Sequence, residues 1–324
     1  MNRRTFVWNG AAAGALLPSV LGAQPSPRVY RLGYIGLTGP AIDPQWVAFH
    51  DELRRLGYVE GQNLVIEFRW IEGREERIPA LVAELLGQSV DVLVTSDGRT
   101  VLAAKQATRT VPIVMAGVSN PERLGLVESL ARPGGNVTGV SSMFVETSAK
   151  IVELFKEACP NRSRLGVVNI GGSENPATRD TREVLESAAK TLRVTLVVET
   201  VASPDALDAS LKRLLQQRVE ALHVMQGLLA LRVKVGDFAM ANRLPLFTRS
   251  SHWPWLLLSY GVSWPDLFRL VARQIVQILK GARPANLPVQ QATKFELVIN
   301  LRTAKALGLA IPPSLLGRAD QVIE

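Results

Sequence analysis

The sequence has few of the residues that most metal and catalytic sites require. It contains one cysteine, Cys159, and three histidines that lie far apart, His50, His223 and His252. A single cysteine cannot form an intrachain disulfide, and no two histidines have metal-ligand spacing. Cys159 ends an apolar helical pattern, which favours a small buried side chain over a nucleophile. We therefore expect no metal and no other cofactor.

Sequence motifs of common enzyme classes are missing as well. The chain has no G-x-S-x-G nucleophile elbow, no Walker phosphate loop and no strand-linked G-x-G-x-x-G fingerprint. These absences lower the expectation of hydrolytic or nucleotide-dependent chemistry. They leave a binding protein as the favoured class.

Charge is present but is not concentrated. The 324 residues carry a formal net charge of +8, yet no run of five or more like charges occurs and no basic helix is interleaved with aromatic residues. This distribution argues against nucleic acid as a partner. The length and the hydrophobic fraction of 47% predict two folded domains with substantial cores.

The first 23 residues differ from the rest of the chain. They contain Arg3-Arg4, then an uncharged run of apolar and small residues, and Leu21-Gly22-Ala23 at the end. These are the regions of an export signal, and the run is too short and too rich in glycine and alanine for a good membrane span. Residues 3–6 resemble a twin-arginine signal, whereas Val7-Trp8 depart from that pattern and leave Sec export open. We expect cleavage near Ala23 and a periplasmic protein. A buried N-terminal helix is the alternative.

From residue 30 onward, apolar runs alternate with helical patterns. The predicted strands of this first region cover residues 31–35, 64–69, 90–94, 111–115 and 137–140. A short helix is predicted over 124–130, and the turn Pro133-Gly134-Gly135-Asn136 precedes the fifth strand. Fully apolar strands alternating with helices predict a parallel sheet covered on both faces.

The same alternation begins again after residue 151. Further strands are predicted at 165–170, 194–200, 221–225, 244–247 and 294–300. We therefore predict an α/β protein with two doubly wound lobes, joined by several crossings into a hinged clamshell. The expected boundaries are a signal peptide over 1–23, lobe 1 over 24–140 plus about 262–290, and lobe 2 over 144–258 plus about 296–324.

Ligands of open α/β sheets bind beyond the carboxyl ends of the strands, so the loops there form the candidate site. These loops are rich in small and hydroxyl residues. The predicted ligand-binding residues are Thr38, Ser96, Asp97, Gly98, Gly117, Ser119, Asn120, Ser142, Asn175, Gln226, Arg249 and Ser250. Helix capping explains several of them individually, and capture of an anion by free backbone N–H groups is the functional interpretation. The two roles are compatible at one loop.

Two arginines and a group of aromatic residues lie in or beside these loops. Either Arg99 or Arg249 could hold a carboxylate bidentately, although a solvated surface is the commoner place for an arginine. Aromatic residues recur between positions 253 and 264, where they either stack on a flat ligand or pack within a crossing segment. They are Trp253, Trp255, Tyr260 and Trp264.

Several stretches resemble one protein family. They are RRLGYVEGQNL at 54–64, AAKQAT at 103–108, SLARPGGNVTGV at 129–140 and TKFELVINLRTAKALGL at 293–309. In these stretches the chain resembles the ABC transporter substrate-binding proteins of the tryptophan/tyrosine-binding type. The resemblance spans nearly all of the chain beyond the predicted signal.

The resemblance implies a type I periplasmic binding protein-like fold with three crossings and closure by hinge motion. It places the site loops at 96–98, 117–120, 169–175, 226 and 249–250. Two loops depart from the pattern of the family. Ser96-Asp97-Gly98-Arg99 stands where Gly-Gly-Thr-Pro is common, and Asn120-Pro121 stands where Asp-Pro is common.

Together these observations predict the periplasmic solute-binding component of an ABC importer. We expect a small organic solute, either an amino acid or a carboxylate-like molecule, an inner-membrane ABC permease as partner, and a monomer without enzymatic activity. One alternative is a ligand-sensing partner of a membrane receptor. Another is an exported α/β enzyme, for which Asp97 is the one attractive nucleophile or base. A repressor of related design is disfavoured, because the predicted signal stands where a DNA-binding headpiece would.

Overall fold

The computed structural model describes residues 28–37, 44–170, 176–201, 203–225, 231–251 and 253–324. The strands are β1 (Tyr30–Gly36), β2 (Leu64–Trp70), β3 (Val92–Thr95), β4 (Ile113–Ala116), β5 (Val137–Ser141), β6 (Arg164–Ile170), β7 (Thr195–Val201), β8 (Ala221–Val224), β9 (Leu246–Thr248), β10 (Leu256–Val262), β11 (Gln290–Gln291), β12 (Phe295–Asn300) and β13 (Gln321–Ile323). The helices are α1 (Pro44–Arg55), α2 (Ile78–Gly87), α3 (Gly98–Ala107), α4 (Phe144–Ala158), α5 (Pro176–Thr191), α6 (Leu207–Gln216), α7 (Arg232–Ala241), α8 (Trp264–Leu279), α9 (Leu301–Leu307) and α10 (Pro313–Leu316).

The first sheet has six strands in the order β11-β5-β4-β3-β1-β2, and all its neighbouring strands are parallel. Every residue of β3 and β4 is buried, as expected for apolar strands covered on both faces. Helices α1 and α8 pack on one face, and α2 and α3 pack on the other. We call this sheet with its four helices lobe 1.

The second sheet has seven strands in the order β13-β12-β10-β9-β8-β6-β7. Its pairs are parallel except for β10 and β12, which run antiparallel. Helices α4, α5, α9 and α10 pack on one face, while α6 and α7 pack on the other. We call this unit lobe 2. The two lobes confirm the predicted α/β class with two doubly wound sheets.

The chain passes between the lobes at three places in the described residues. It crosses from β5 into α4, from β10 into α8, and from β11 into β12. The second and third crossings touch, because the backbone N–H of Ser263 donates to the carbonyl of Lys294 at 3.0 Å. Three adjacent segments can act as a hinge, since rotation at a few residues moves one lobe against the other.

Two local predictions differ from the structure. The helix predicted over 124–130 is wrong, because that segment forms turns around Gly125, whose φ is +66°. Strand β10 was not predicted at all. Its residues are almost entirely buried, and the aromatic residues on both sides obscured the apolar run Leu256–Leu258. Among the described residues, no helix combines the length and apolar character needed to cross a bilayer.

Candidate functional site

The candidate site lies where the carboxyl ends of the parallel strands of both sheets meet the crossing from β5 into α4. Three of the residues predicted to bind a ligand, Thr38, Asn175 and Gln226, lie outside the described residues. The other predicted residues divide between the two lobes. Those of lobe 1 follow β3, β4 and β5, and those of lobe 2 follow β9.

The loop after β3 begins helix α3. Asp97 caps this helix by accepting hydrogen bonds from the backbone N–H groups of Arg99 and Thr100, at 2.8 and 3.1 Å. The preceding Ser96 hydroxyl lies 3.5 Å from the Tyr34 hydroxyl on β1. Gly98 is the first residue of the helix. The polar groups of this loop are therefore held by the helix start, as capping predicts.

Arg99 has acidic partners on its own lobe. Its guanidinium pairs with Asp97 at 2.8 Å and also contacts Glu75. Burial opposes the charge on Arg99, but the hydrogen bonds that it donates to Asp97 and Glu75 outweigh burial and raise its pKa. Two carboxylates thus already neutralise this cation, which makes it a poor anchor for an anionic solute.

The loops after β4 and β5 are joined by hydroxyl groups. The Ser119 Oγ lies 2.9 Å from the Ser142 Oγ, and it accepts a hydrogen bond from the backbone N–H of Phe144 at 3.0 Å. Both serines are buried. Gly117 has a φ of +92°, and a Cβ there would lie 3.0 Å from the Trp264 ring. This position needs glycine for its backbone conformation and for the close approach of Trp264.

Asn120 reaches from lobe 1 to lobe 2. Its backbone is left-handed, with a φ of 47°, a conformation that asparagine adopts more readily than most residues. The side-chain amide donates to the Asp180 Oδ2 at 3.1 Å. Asp180 lies on α5 of lobe 2, so this bond links the two lobes.

Arg249 follows β9 and packs against the start of α4. Its Nη2 donates to the Ser148 Oγ at 2.6 Å, and its guanidinium carbon lies 5.1 Å from the centroid of the Phe144 ring. The Nε of Arg249 is buried and has no hydrogen-bond partner. Within the described part of the chain, no acidic side chain pairs with Arg249. Ser250, the next predicted residue, contributes its carbonyl to a hydrogen bond from the Thr248 hydroxyl at 2.8 Å.

Burial lowers the pKa of Arg249 to about 10. The guanidinium therefore stays protonated at neutral pH, although much of its solvation is lost. A cation held away from water is stabilised strongly by an anion that reaches it. A carboxylate that reached the end of β9 would therefore be stabilised by this cation.

His223 lies close to Arg249 and is neutral. Its Nδ1 is 3.1 Å from the carbonyl of Phe247, so that nitrogen donates and Nε2 is the unprotonated acceptor. Burial and the nearby Arg249 lower the pKa of His223 to about 3. The imidazole therefore adds no positive charge to that of Arg249 at neutral pH.

The four aromatic residues between positions 253 and 264 do not form one cluster. Trp253 belongs to the core of lobe 2, and Tyr260 stacks on Phe295. Trp255 is 45% exposed and donates its indole N–H to Asp237. Trp264 lies at the crossing beside Gly117 and Phe144. Packing therefore explains Trp253 and Tyr260, and only Trp264 among the four borders the predicted site.

The sequence reasoning did not single out three residues that shape this region. They are Phe144, Ser148 and Asp180, which contact Arg249 or Asn120. Phe144 and Ser148 lie one helical turn apart on the crossing helix α4, a spacing that residues with a purely packing role also have. The unusual feature of Asp180 is its burial, which no local pattern predicts.

Comparison with known proteins agrees with this geometry. Residues 35–323 match the family model described as ABC transporter substrate binding protein. A tyrosine-binding protein of Clostridioides difficile is 24% identical over 274 residues, covering 83% of this chain and 78% of the relative.

Two solved structures are similar over most of the chain. The ABC domain from Streptococcus pneumoniae in complex with L-Trp is 26% identical, with a TM-score of 0.82, covering 91% of this chain and all of that one. A conserved domain protein from Vibrio cholerae is 27% identical, with a TM-score of 0.83 and the same two coverages. Because the family model spans both lobes and all three crossings, the chain belongs to the ABC transporter substrate-binding protein family.

Proposed function

We propose that this chain is the periplasmic solute receptor of an ABC importer and that its solute is an amino acid bound through its carboxylate. One observation carries the choice of solute. The partly buried cation of Arg249, whose Nε is shielded from water, lies at the end of β9 without an acidic partner among the described residues, whereas Arg99 has two. The carboxylate of a bound solute would supply a negative charge beside Arg249.

The relatives support the same class of solute. The Clostridioides difficile relative is a tyrosine-binding protein, and the Streptococcus pneumoniae structure contains L-Trp. Both of these amino acids carry the free carboxylate that Arg249 would bind. Phe144 and Trp264 border the same region and offer ring faces beside it.

The N-terminal segment and the two sheets support an exported receptor with two lobes. The N-terminal pattern of residues 1–23 supports export, with cleavage near Ala23. The receptor would act as a monomer without enzymatic activity and deliver its solute to an ABC permease of the inner membrane. Its lobes would comprise 24–140 with about 262–290, and 144–258 with about 296–324, a division that the membership of the two sheets supports.

The first test identifies the solute. The chain from Gln24 onward is screened by thermal shift against amino acids, aromatic acids, nucleosides, sugars and short carboxylates. A ligand that binds the native state raises the melting temperature in a saturable way. We expect amino acids to give the largest shifts. Saturable binding of sugars or nucleosides alone would contradict the proposed solute.

The second test concerns Arg249 and uses matched ligands. Calorimetry compares L-tryptophan with tryptamine and L-tyrosine with tyramine, since each pair differs by the carboxylate. The unsubstituted protein should prefer the amino acids. Arg249→Gln should weaken amino acid binding by about tenfold to a hundredfold, the usual range for a charged hydrogen bond, and should abolish the preference.

Arg99→Gln is the matched control. It also neutralises an arginine in a predicted site loop, but that arginine is already paired with Asp97 and Glu75. We expect unchanged amino acid affinity for this variant. A folded Arg249→Gln protein that keeps its full preference for the amino acids would remove Arg249 from the site.

A further inference from the structure

Among the described residues, one buried carboxylate of lobe 2 takes both of its partners from lobe 1. Asp180 on α5 is 7% exposed. Its Oδ2 accepts a hydrogen bond from the Asn120 amide at 3.1 Å, and its Oδ1 lies 2.9 Å from the Arg123 Nη2. Asn120 and Arg123 both follow β4 of lobe 1. The contact therefore joins the two lobes directly.

Because Asp180 is buried, removing its partners while its carboxylate stays away from water costs free energy. A carboxylate removed from water is stabilised only when its partners replace the lost solvation. Both partners that the described residues offer Asp180 come from the opposite lobe. If the lobes separate, water replaces both of them at once. The interaction is thus made in the closed arrangement and lost in the open one.

The partners from lobe 1 are suited to a contact that forms and breaks. The Arg123 side chain is 57% exposed, so it is solvated when it leaves Asp180. Asn120 contributes a neutral amide from a left-handed backbone position. An aspartate at position 120 would face the Asp180 carboxylate and repel it. The pairing therefore depends on the amide as well as on the arginine.

We propose that Asp180 is a positioning residue for solute binding. It binds Asn120 and Arg123 of the other lobe, a contact that we call the clasp, and so stabilises the closed cleft without touching the solute. The proposal rests on the proposed solute-receptor function. By favouring the closed state, the clasp raises the affinity for any solute that binds between the lobes. Asn120 then contributes to binding through closure, in addition to any contact with the solute.

The test measures the distance between the lobes independently of the solute. One cysteine is introduced on an exposed helix position of each lobe, and both are spin-labelled. The native Cys159 does not interfere, because it is 3% exposed and burial raises its pKa to about 11. Arg123→Glu places two carboxylates opposite each other. The double variant Arg123→Glu/Asp180→Arg restores an ion pair of opposite polarity.

We expect Arg123→Glu to lengthen the interlobe distance without solute, and the double variant to shorten it again. Solute affinity should fall by about threefold to thirtyfold in the single variant, the range of coupling between contacting charges, and recover in the double variant. Arg213→Glu is the control, since its partner Glu199 lies on the same lobe. It should change neither the distance nor the affinity.

An unchanged interlobe distance in Arg123→Glu, or a double variant that stays as open as the single one, would overturn the clasp. Circular dichroism confirms that each variant is folded. The distance measurement needs no solute, so it decides the clasp even if the amino acid proposal fails. Conversely, a failed clasp with intact amino acid selectivity at Arg249 leaves the proposed function standing.

Discussion

At the residue scale, the hydroxyl groups at the ends of β4 and β5 show how a site loop is held. The Ser119 hydroxyl lies between the Ser142 hydroxyl and the backbone N–H of Phe144, the first residue of the crossing helix α4. Met143, just before that helix, has a left-handed backbone and no capping side-chain bond. Ser119, although distant along the chain, supplies the oxygen that this helix start lacks locally.

This arrangement predicts a structural role for the Ser119 hydroxyl. Ser119→Ala would leave the Phe144 N–H and the buried Ser142 hydroxyl without that partner. We expect the free energy of unfolding to fall by about 1–2 kcal/mol, the usual cost of an unsatisfied buried polar group. Urea unfolding monitored by circular dichroism measures this free energy. Ser187→Ala on the exposed side of α5 is the control, and equal stability of the two variants would contradict the prediction.

At the element scale, lobe 1 depends on the packing of α1 against α8. Their apolar faces meet through Phe49 and Leu53 on α1 and through Phe268 and Val271 on α8. The same interface contains the buried Glu52, which pairs with Arg55 at 2.7 Å and with Arg273 on α8 at 2.6 Å. Two distant segments of the chain are thus joined by apolar contact and by charge.

This interface predicts a pH dependence of stability. The hydrogen bond from Arg55, together with Arg273, outweighs burial and lowers the pKa of Glu52 from 4.5 to about 2. The folded state therefore keeps Glu52 ionised at pH values where the unfolded chain is protonated. Its stabilisation is complete above pH 4.5 and is lost as the pH falls toward 2.

Glu52→Gln tests this dependence. At pH 7 we expect it to lower the free energy of unfolding by about 1–2 kcal/mol, a value reduced by the solvent exposure of the arginines. Urea unfolding at a series of pH values should show the difference from the unsubstituted protein narrowing below pH 4.5. The control is Glu76→Gln, at an exposed glutamate. A difference that stays constant down to pH 2 would exclude Glu52 as its source.

At the scale of the whole molecule, one carboxylate ties two of the three crossings to lobe 1. Asp266 on α8 accepts a hydrogen bond from the Ser263 hydroxyl at 2.8 Å and pairs with Lys294 at 2.9 Å. Ser263 and Lys294 belong to the crossings that enter α8 and β12. Burial opposes ionisation, but Lys294 and Ser263 outweigh it and lower the pKa of Asp266. The tie is therefore charged at neutral pH.

We predict that this tie limits the motion of the lobes. Asp266→Asn weakens the bonds to Ser263 and Lys294, so the hinge should rotate over a wider range. Spin labels on the two lobes should then report a broader distribution of interlobe distances, with little change in solute affinity. Arg213→Ala, which breaks an ion pair within lobe 2, serves as the control. Distance distributions of equal width in Asp266→Asn and Arg213→Ala would contradict the prediction.

Much of the architecture was predictable because it depends on local patterns. Apolar strands alternating with helical stripes predicted both sheets, and the position of the loops beyond the strands predicted where polar residues gather. The segment around Gly125 was predicted wrongly, since seven residues with a left-handed glycine in second place do not sustain a helix. Strand β10 was not predicted, because its own residues show no clear strand pattern. Its pairing with β9 and β12 defines it as a strand.

The sequence by itself determined the class of fold, the two lobes and the family, because hydrophobic periodicity and local motifs are properties of neighbouring residues. Only the tertiary structure decided which of the two arginines has no carboxylate partner among the described residues. Arg99 and Arg249 both follow a strand, but Glu75 reaches Arg99 from another segment, and Arg249 meets Ser148 across 101 positions. The same holds for Asn120 and Asp180, which are 60 positions apart. Burial and charge pairing depend on which surfaces come into contact. Those contacts form only when the helices, the sheets and the two lobes pack against one another.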